Sequence, residues 1–449
     1  MDVVGCFIGM DCKASKRSNG DLLWTSVPSS LLSLIFGCLT YGEVLYGCYA
    51  VCRTWKQTLA SWSRLEILSR SDASTILLAC HRNQVKSVRV EVLMLGEMVQ
   101  FRNLESMSLI RSMHRFPAPK VTCFELLGEF PNLTDLDLSL VENYVTAKEH
   151  HKLQQIPSLR NLVLDRMPHH YMNLIANLVF LRGLVVRFSS CVKDESILVL
   201  GNLIRLETLT LCCSTANKIS GKGLEKALQN LTSLKRLTIK GWTVPPSFGV
   251  LATHLKSLDS LELVNGVRCV YGDMLSALFQ LTRLRSLTLD GIHVQGLHFL
   301  QDDKFFLEYL SLSLNGFTRE VDLMSYLCLT LREVRLHGAF HIWSREICSV
   351  LGNLPVLRTL SLVESREARG SGQMCSLRDD GLAELARSES LRDLTLDFCV
   401  SVTDDGIAQF KKSRLVAFTA KHCLGLTESA IIAVQKHLIR NNLVVVNAI

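Results

Sequence analysis

The chain has 449 residues, 48% of them hydrophobic and 20% charged, with a formal charge of +7. This composition excludes a disordered chain, and 26 Gly with 9 Pro exclude collagen-like and low-complexity fibres. The excess of 49 basic over 42 acidic residues is too thin for a general nucleic-acid binder. Sixteen Cys at irregular spacings, many inside apolar runs, read as reduced, buried small hydrophobes of a cytoplasmic or nuclear protein.

In chain order, residues 1–20 read as a flexible tail. They place Cys6 and Cys12 near Lys13, Lys16 and Arg17, and the apolar run before Lys13 is too short for a secretory signal. Leu31 to Cys52 then spans 22 residues with one charge, Glu43. Its length suits a bilayer, but Gly37, Thr40, Tyr41 and Gly42 form a turn signal in the middle. Leu31, Leu32, Ile35, Phe36 and Leu39 make a helical stripe with Ser33 off it. No membrane span is therefore expected; the stretch predicts two short helices. Pro28 suits the first turn of the first helix, and Val44, Leu45, Val51 and Trp55 supply the apolar residues of the second. About 40 residues cannot bury all these side chains alone, so the surface left over predicts a partner. Residues 65–84, with Ile76 to Cys80 apolar, predict a helical linker.

From residue 85 a six-residue unit, apolar-x-x-apolar-x-apolar, recurs to the end. It begins at Val85, Leu104, Leu133, Leu159, Leu181, Leu206, Leu234, Leu258, Leu284, Leu307, Leu331, Leu357, Leu391 and Leu415, with a frayed copy at Leu443. Fourteen steps separate residues 85 and 443, about 25.6 residues each. The second half of each unit alternates apolar and polar, the period of a strand. Helical patterns such as Leu224, Ala227, Leu228 and Leu231 lie between units. A strand plus a helix at this period resembles the leucine-rich repeat. The resemblance implies an α/β solenoid over 85–449, with a curved parallel sheet inside and helices outside.

The last repeats, with Cys399, Thr403-Asp-Asp-Gly-Ile407, Cys423 and Thr427, are similar to the cysteine-containing subtype. That likeness implies a packing role for each Cys and a helix-capping role for the Thr-Asp-x-Gly element. One repeat, Leu357 to Leu391, is 34 residues long, and its excess at 364–373 reads as an exposed loop.

Pro28, Leu31, Leu32, Ile35, Phe36, Leu39 and the run Val51-Cys52-Arg53-x-Trp55 give residues 21–64 a resemblance to the F-box. An F-box followed by leucine-rich repeats resembles the F-box/leucine-rich-repeat family over nearly the whole chain. The family implies a substrate receptor of an SCF ubiquitin ligase. Its helices, here with Val44 and Leu45 among the docking residues, bind a Skp-type adaptor linked to a cullin–RING core. Its repeats hold a protein substrate. Val27 stands where the family usually has Leu, and Ser30 where an acidic residue is frequent. Gly47 within the second helix costs roughly 1 kcal/mol against Ala. These departures predict weaker adaptor docking. The alternative is a stand-alone leucine-rich-repeat scaffold or inhibitor, with residues 21–64 as a terminal cap.

No catalytic constellation, metal motif or cofactor loop stands out, so a non-catalytic protein is expected. The third, fifth and seventh positions of each unit point away from the core. The candidate substrate-binding residues among them are Asp135, Asp137 and Asp165, then Arg236 and Lys240, then Tyr309, Glu333, Arg335 and His337, with Trp242 just past one strand. At the second position Lys86, Arg160, Arg182, Lys235, Arg285, Arg332, Arg358 and Arg392 predict a basic rim, interrupted by Glu105, Glu207, Asp259 and Glu308. Such a rim would attract an acidic or phosphorylated partner.

Overall fold

The computed structural model describes residues 64–67, 85–91, 95–110, 123–140, 151–167, 172–188, 192–213, 219–241, 252–264, 277–290, 306–313, 329–338, 345–364 and 377–439. The chain divides into two units, residues 1–165 and 166–449. The F-box-like stretch with Pro28, Leu31, Leu32, Ile35, Phe36, Leu39, Val44, Leu45, Val51 and Trp55 lies outside the described residues. So do Trp242, most of the 364–373 loop and the copy at Leu443.

In the first unit the strands are β1 (Arg64–Ile67), β2 (Ser87–Glu91), β3 (Ser106–Ile110), β4 (Asp135–Leu140) and β5 (Asn161–Met167). Each pairs in parallel with the next. In the second unit they are β6 (Gly183–Phe188), β7 (Thr208–Cys212), β8 (Arg236–Lys240), β9 (Ser260–Val264), β10 (Ser286–Asp290), β11 (Tyr309–Ser313), β12 (Glu333–Gly338), β13 (Thr359–Glu364), β14 (Asp393–Asp397) and β15 (Ala417–Lys421). These too form one parallel run in chain order. Between strands lie short helices. Those used below are α1 (Asp194–Ile197), α2 (Gly221–Leu228), α3 (Arg345–Asn353), α4 (Asp379–Ala386), α5 (Asp404–Ala408) and α6 (Glu428–Ile439). The fold is the α/β leucine-rich-repeat solenoid.

The ladder explains the core. The first and fourth apolar residues of every unit from Val85 to Leu415 are buried, from Val85 and Val88 at one end to Leu415 and Phe418 at the other. The sixth position is buried as far as Leu396, and Ala420 in the last strand is only half-buried. Parallel sheets need one covered face, and a single Leu-rich column per repeat supplies it.

One expectation is corrected. The linker predicted as a helix over 65–84 opens with strand: Leu65 and Ile67 of β1 lie opposite Val88 and Val90 of β2. The repeat therefore begins one copy earlier than residue 85, as Trp62-x-x-Leu65-x-Ile67. Trp in place of the usual Leu at the unit's first position hid it.

The leading edge of the sheet, where strands begin, has a ladder of its own. The second-position carbonyl of each unit accepts two N–H groups from the next. Glu207 O takes Lys235 N and Arg236 N at 2.8 and 3.0 Å, and Arg332 O takes Arg358 N and Thr359 N at 2.8 and 3.0 Å. This stacks second-position side chains in one column.

Candidate binding surface

Side chains at the third and fifth positions are half-buried or exposed throughout the described strands, as the alternation requires. The seventh position departs twice: Glu91 and Ser313 are buried. The outward residues form three groups.

In the first unit Asp135 accepts from Asn161 Nδ2 at 2.6 Å, and Asp137 accepts from Ser139 N at 2.8 Å and Ser108 Oγ at 3.4 Å. Asp165 lies one strand on, half-buried. In the second unit Arg236 donates to Thr208 Oγ1 at 3.3 Å. Lys240 pairs with Glu262 at 2.9 Å, and Thr238 donates to the same carboxylate at 3.0 Å. The third group sits on β11 and β12. The Arg335 guanidinium lies 5.7 Å from the Tyr309 ring centroid and pairs with Glu333 at 2.7 Å. His337 Nδ1 lies 3.4 Å from Ser313 Oγ. Tyr309, Glu333, Arg335 and His337 thus come together, while Arg236 and Lys240 lie apart from them. An aromatic ring under a fixed guanidinium is the composition that dominates protein-binding surfaces.

The basic rim is corrected in its larger part. The second-position column stacks two of the interrupting carboxylates, Glu207 and Glu308, between cations and sets Glu105 beside one. Glu105 pairs with Lys86 at 2.8 Å. Glu207 bridges Arg182 and Lys235 at 3.5 and 2.8 Å. Glu308 bridges Arg285 and Arg332 at 2.7 and 3.7 Å. The Lys235 hydrogen bond holds the Glu207 carboxyl below its usual range. The charges missed by this pairing are at the far end. Arg392 donates to the carbonyls of Glu389 and Leu391, and Arg358 has no ion pair among the described residues.

The expected helix cap holds at Ser220 and Thr427, whose hydroxyls accept from Gly223 N at 3.0 Å and Ala430 N at 3.2 Å, but not within Thr-Asp-x-Gly at Thr403. The Thr403 side chain makes no capping hydrogen bond to α5. Thr403 N and its hydroxyl instead donate to Asp379 of the preceding repeat. Asp404 accepts in the same way from Thr427 N and Oγ1 at 2.8 and 2.7 Å. Asp194 accepts from Ser220 N and Oγ at 2.7 and 2.6 Å. The element fastens each helix to its neighbour. The nearby thiols have the packing role expected of them. Cys399 is buried, with Sγ 3.8 Å from Leu362 O, and Cys423 Sγ lies 3.2 Å from Lys421 O. The hydrogen bond that Cys399 makes to Cys423, then burial, raises the Cys399 thiol.

Among the described residues, no group of three or more His, Cys, Asp or Glu is placed to hold a metal. Among them, too, no helix is long and apolar enough to cross a membrane.

No family model matches the chain, and no curated protein matches it. Solved structures resemble it in part. A leucine-rich-repeat protein of Leptospira interrogans is 18% identical with a TM-score of 0.45, over 87% of this chain and 97% of that one. An internalin of Listeria monocytogenes is 15% identical with a TM-score of 0.40, over 84% of this chain and 94% of that one.

Proposed function

We propose that the chain is the substrate-recognition subunit of an SCF-type ubiquitin ligase, acting in the cytoplasm or nucleus and carrying no catalysis of its own. The F-box-like residues 21–64, the last of which, Arg64, opens β1, dock a Skp-type adaptor, and through it a cullin–RING core. The repeat sheet holds the protein to be ubiquitinated, with Tyr309, Glu333, Arg335 and His337 as its best-assembled contact group. The observation that carries this reading is order along the chain. The F-box-like motif ends at Trp55, and the sheet starts at Arg64. Only eight residues intervene between the motif and the first strand.

A second reading has its own support. Among the described residues β1 pairs with β2 alone and stands at the end of the strand order, and a solenoid end needs cover. Residues 21–64 then serve as a cap on a stand-alone interaction scaffold or inhibitor.

Capture of a purified Skp-type adaptor by the full chain separates the two. As a receptor, the wild type captures the adaptor, and Ile35→Asp with Phe36→Asp abolishes capture while circular dichroism is unchanged. As a cap, the wild type captures nothing and the double variant loses hydrogen-exchange protection in β1 and β2.

A further inference from the structure

Large apolar side chains lie exposed along the leading edge in three successive repeats. Phe306 is 53% exposed, Leu329 69% and Val356 40%. Each stands one or two residues before the first Leu of its unit, at Leu307, Leu331 and Leu357. The turn before a strand is elsewhere mostly polar at this place, as with Asn132, Ser158, Ser233, Ser257 and Ser390. Three apolar residues in consecutive turns make a stripe, and such a stripe on a surface marks an interaction site. A hollow of ≈ 350 Å³ opens between them, floored by Thr330 and bordered by Arg332.

Beside this stripe runs the unpaired end of the second-position column. Among the described residues Arg332 reaches one carboxylate, Glu308, at 3.7 Å, while Arg285 holds the same group at 2.7 Å. Arg358 is exposed with no ion pair among the described residues, and Arg392 turns to its own loop's carbonyls. Neighbouring strands lie about 4.8 Å apart, so the three guanidinium-bearing positions Arg332, Arg358 and Arg392 follow one another at that spacing, and the one carboxylate bordering them, Glu308, is held chiefly by Arg285. Like charges stacked so closely repel, and an anionic partner relieves the repulsion. Elsewhere on this edge Val179, Phe180 and Ile204 are also apolar and exposed, but the cations beside them are neutralised, with Glu207 pairing Arg182 and Lys235, and Arg205 lies over the Phe180 ring at 5.2 Å.

We infer that the leading edge of β11 to β13 is a docking site for an acidic polypeptide segment that carries large apolar side chains. Its carboxylates meet Arg332 and Arg358, and its apolar groups cover Phe306, Leu329 and Val356. The apolar stripe selects protein over nucleic acid, whose backbone offers charge without apolar side chains. The biological use of the site, as a substrate contact, rests on the receptor reading; its chemistry does not.

The test uses the full chain and a fluorescein-labelled sixteen-residue peptide alternating Glu with Leu or Phe, followed by fluorescence anisotropy. Three competitors accompany it: the Gln-for-Glu peptide, the Ser-for-Leu/Phe peptide and an oligo-dT strand. The expected result is saturable binding that both altered peptides weaken at least tenfold and that oligo-dT does not displace. Arg332→Glu with Arg358→Glu, and separately Phe306→Ser with Leu329→Ser, each weaken it at least tenfold. All four positions are exposed, so circular dichroism stays unchanged. No binding, equal binding of the Ser-substituted peptide, displacement by oligo-dT, or indifference to either double variant overturns the proposal. Adaptor capture is measured on the same variants and stays at the wild-type level. Its absence in the wild type counts against the receptor reading and leaves the peptide result standing.

Discussion

Asp379 joins α4 to the repeat that follows. Its carboxylate accepts Thr403 N at 2.8 Å together with the Thr403 hydroxyl. A methyl group added at Gly406 would lie 2.1 Å from Asp379 Oδ1 and 2.7 Å from its Cγ. Asp379→Ala removes two hydrogen bonds to an ionised acceptor, about 1.5 kcal/mol each at a partly solvated site and so about 3 kcal/mol together. Gly406→Ala acts through the same group. The obstacle is the end of a side chain, so the carboxylate swings away and both bonds are lost. Against that, Ala gains about 0.5–1 kcal/mol over Gly inside a helix, which leaves a net cost of about 2 kcal/mol. In the double variant there is no carboxylate to displace; the remaining Cβ of residue 379, 3.1 Å from the added methyl, need give by only a few tenths of an ångström, and the second substitution becomes favourable. The double variant is expected to cost about 2 kcal/mol where simple addition gives about 5, a coupling of about 3 kcal/mol. Repeat arrays lose all-or-none unfolding, so local hydrogen exchange is the assay. The Ile407 amide, which donates to Thr403 O at 3.3 Å, reports the opening. Additive costs, or a Gly406→Ala change that stays unfavourable beside Asp379→Ala, would refute the reasoning.

Three further outcomes follow from single sites. Gly241 closes β8 with φ +76°, and an added Cβ would lie 1.9 Å from the Cys213 carbonyl oxygen. That obstacle is backbone, so Gly241→Ala costs about 3 kcal/mol or more, and a loss under about 1 kcal/mol in the hydrogen-exchange protection of β8 refutes the account. Burial pushes the Cys348 thiol from its ordinary 9.0 up to about 12. The folded state therefore keeps a proton that the unfolded state sheds. The contribution is whole below pH 9 and is lost as pH rises towards 12, about 1.4 kcal/mol of it by pH 10. Cys348→Ala should flatten this alkaline slope, and an unchanged slope counts against the burial argument. Glu207→Gln frees both Arg182 and Lys235, so the variant should leave a cation exchanger at higher salt than wild type. Because the Glu207 carboxyl is held low, its pairing persists above the ordinary 4.5 and fails only as pH falls through the lowered value. Elution that shifts already at pH 5 contradicts that.

The fold was legible because its information is periodic. Leu136 and Leu138, Leu209 and Leu211, Leu394 and Leu396 repeat one choice at one spacing, and parallel stacking follows from it. Register came with it, so the outward placement of Asp135, Tyr309 and Arg335 was readable. What was not readable is lateral. Whether Glu207 interrupts a basic row or clamps it depends on which residues stack, and the two-fold N–H ladder at the leading edge decides that. Thr403 followed by Asp404 looks like a helix cap along the chain. Only the neighbouring layer supplies Asp379 at hydrogen-bond distance. Trp62 broke the Leu pattern and concealed the copy that forms β1.

A solenoid makes each defect in its pattern informative, because every position has more than a dozen equivalents for comparison. Most departures have a partner within the fold: Glu91 and Ser313 withdraw into the interior, and Glu364 bonds Leu377 N at 3.0 Å. A departure that neither buries nor pairs needs another source of selection, since surface Leu or Phe and unpaired Arg add little to stability. Phe306, Leu329, Val356 and Arg358 are of that kind and adjoin one another on consecutive repeats. What sets this stretch apart from the exposed Val179, Phe180 and Ile204 of the same edge is the Arg358 beside it, without an ion pair among the described residues. The same logic ranks the sheet face itself: the assembled group on β11 and β12 lies beside this edge, so one bound chain can reach Tyr309 and Arg335 from the stripe. Variants at Tyr309 and at Phe306 should then be coupled in binding, whereas variants at Lys240, three strands away, should not.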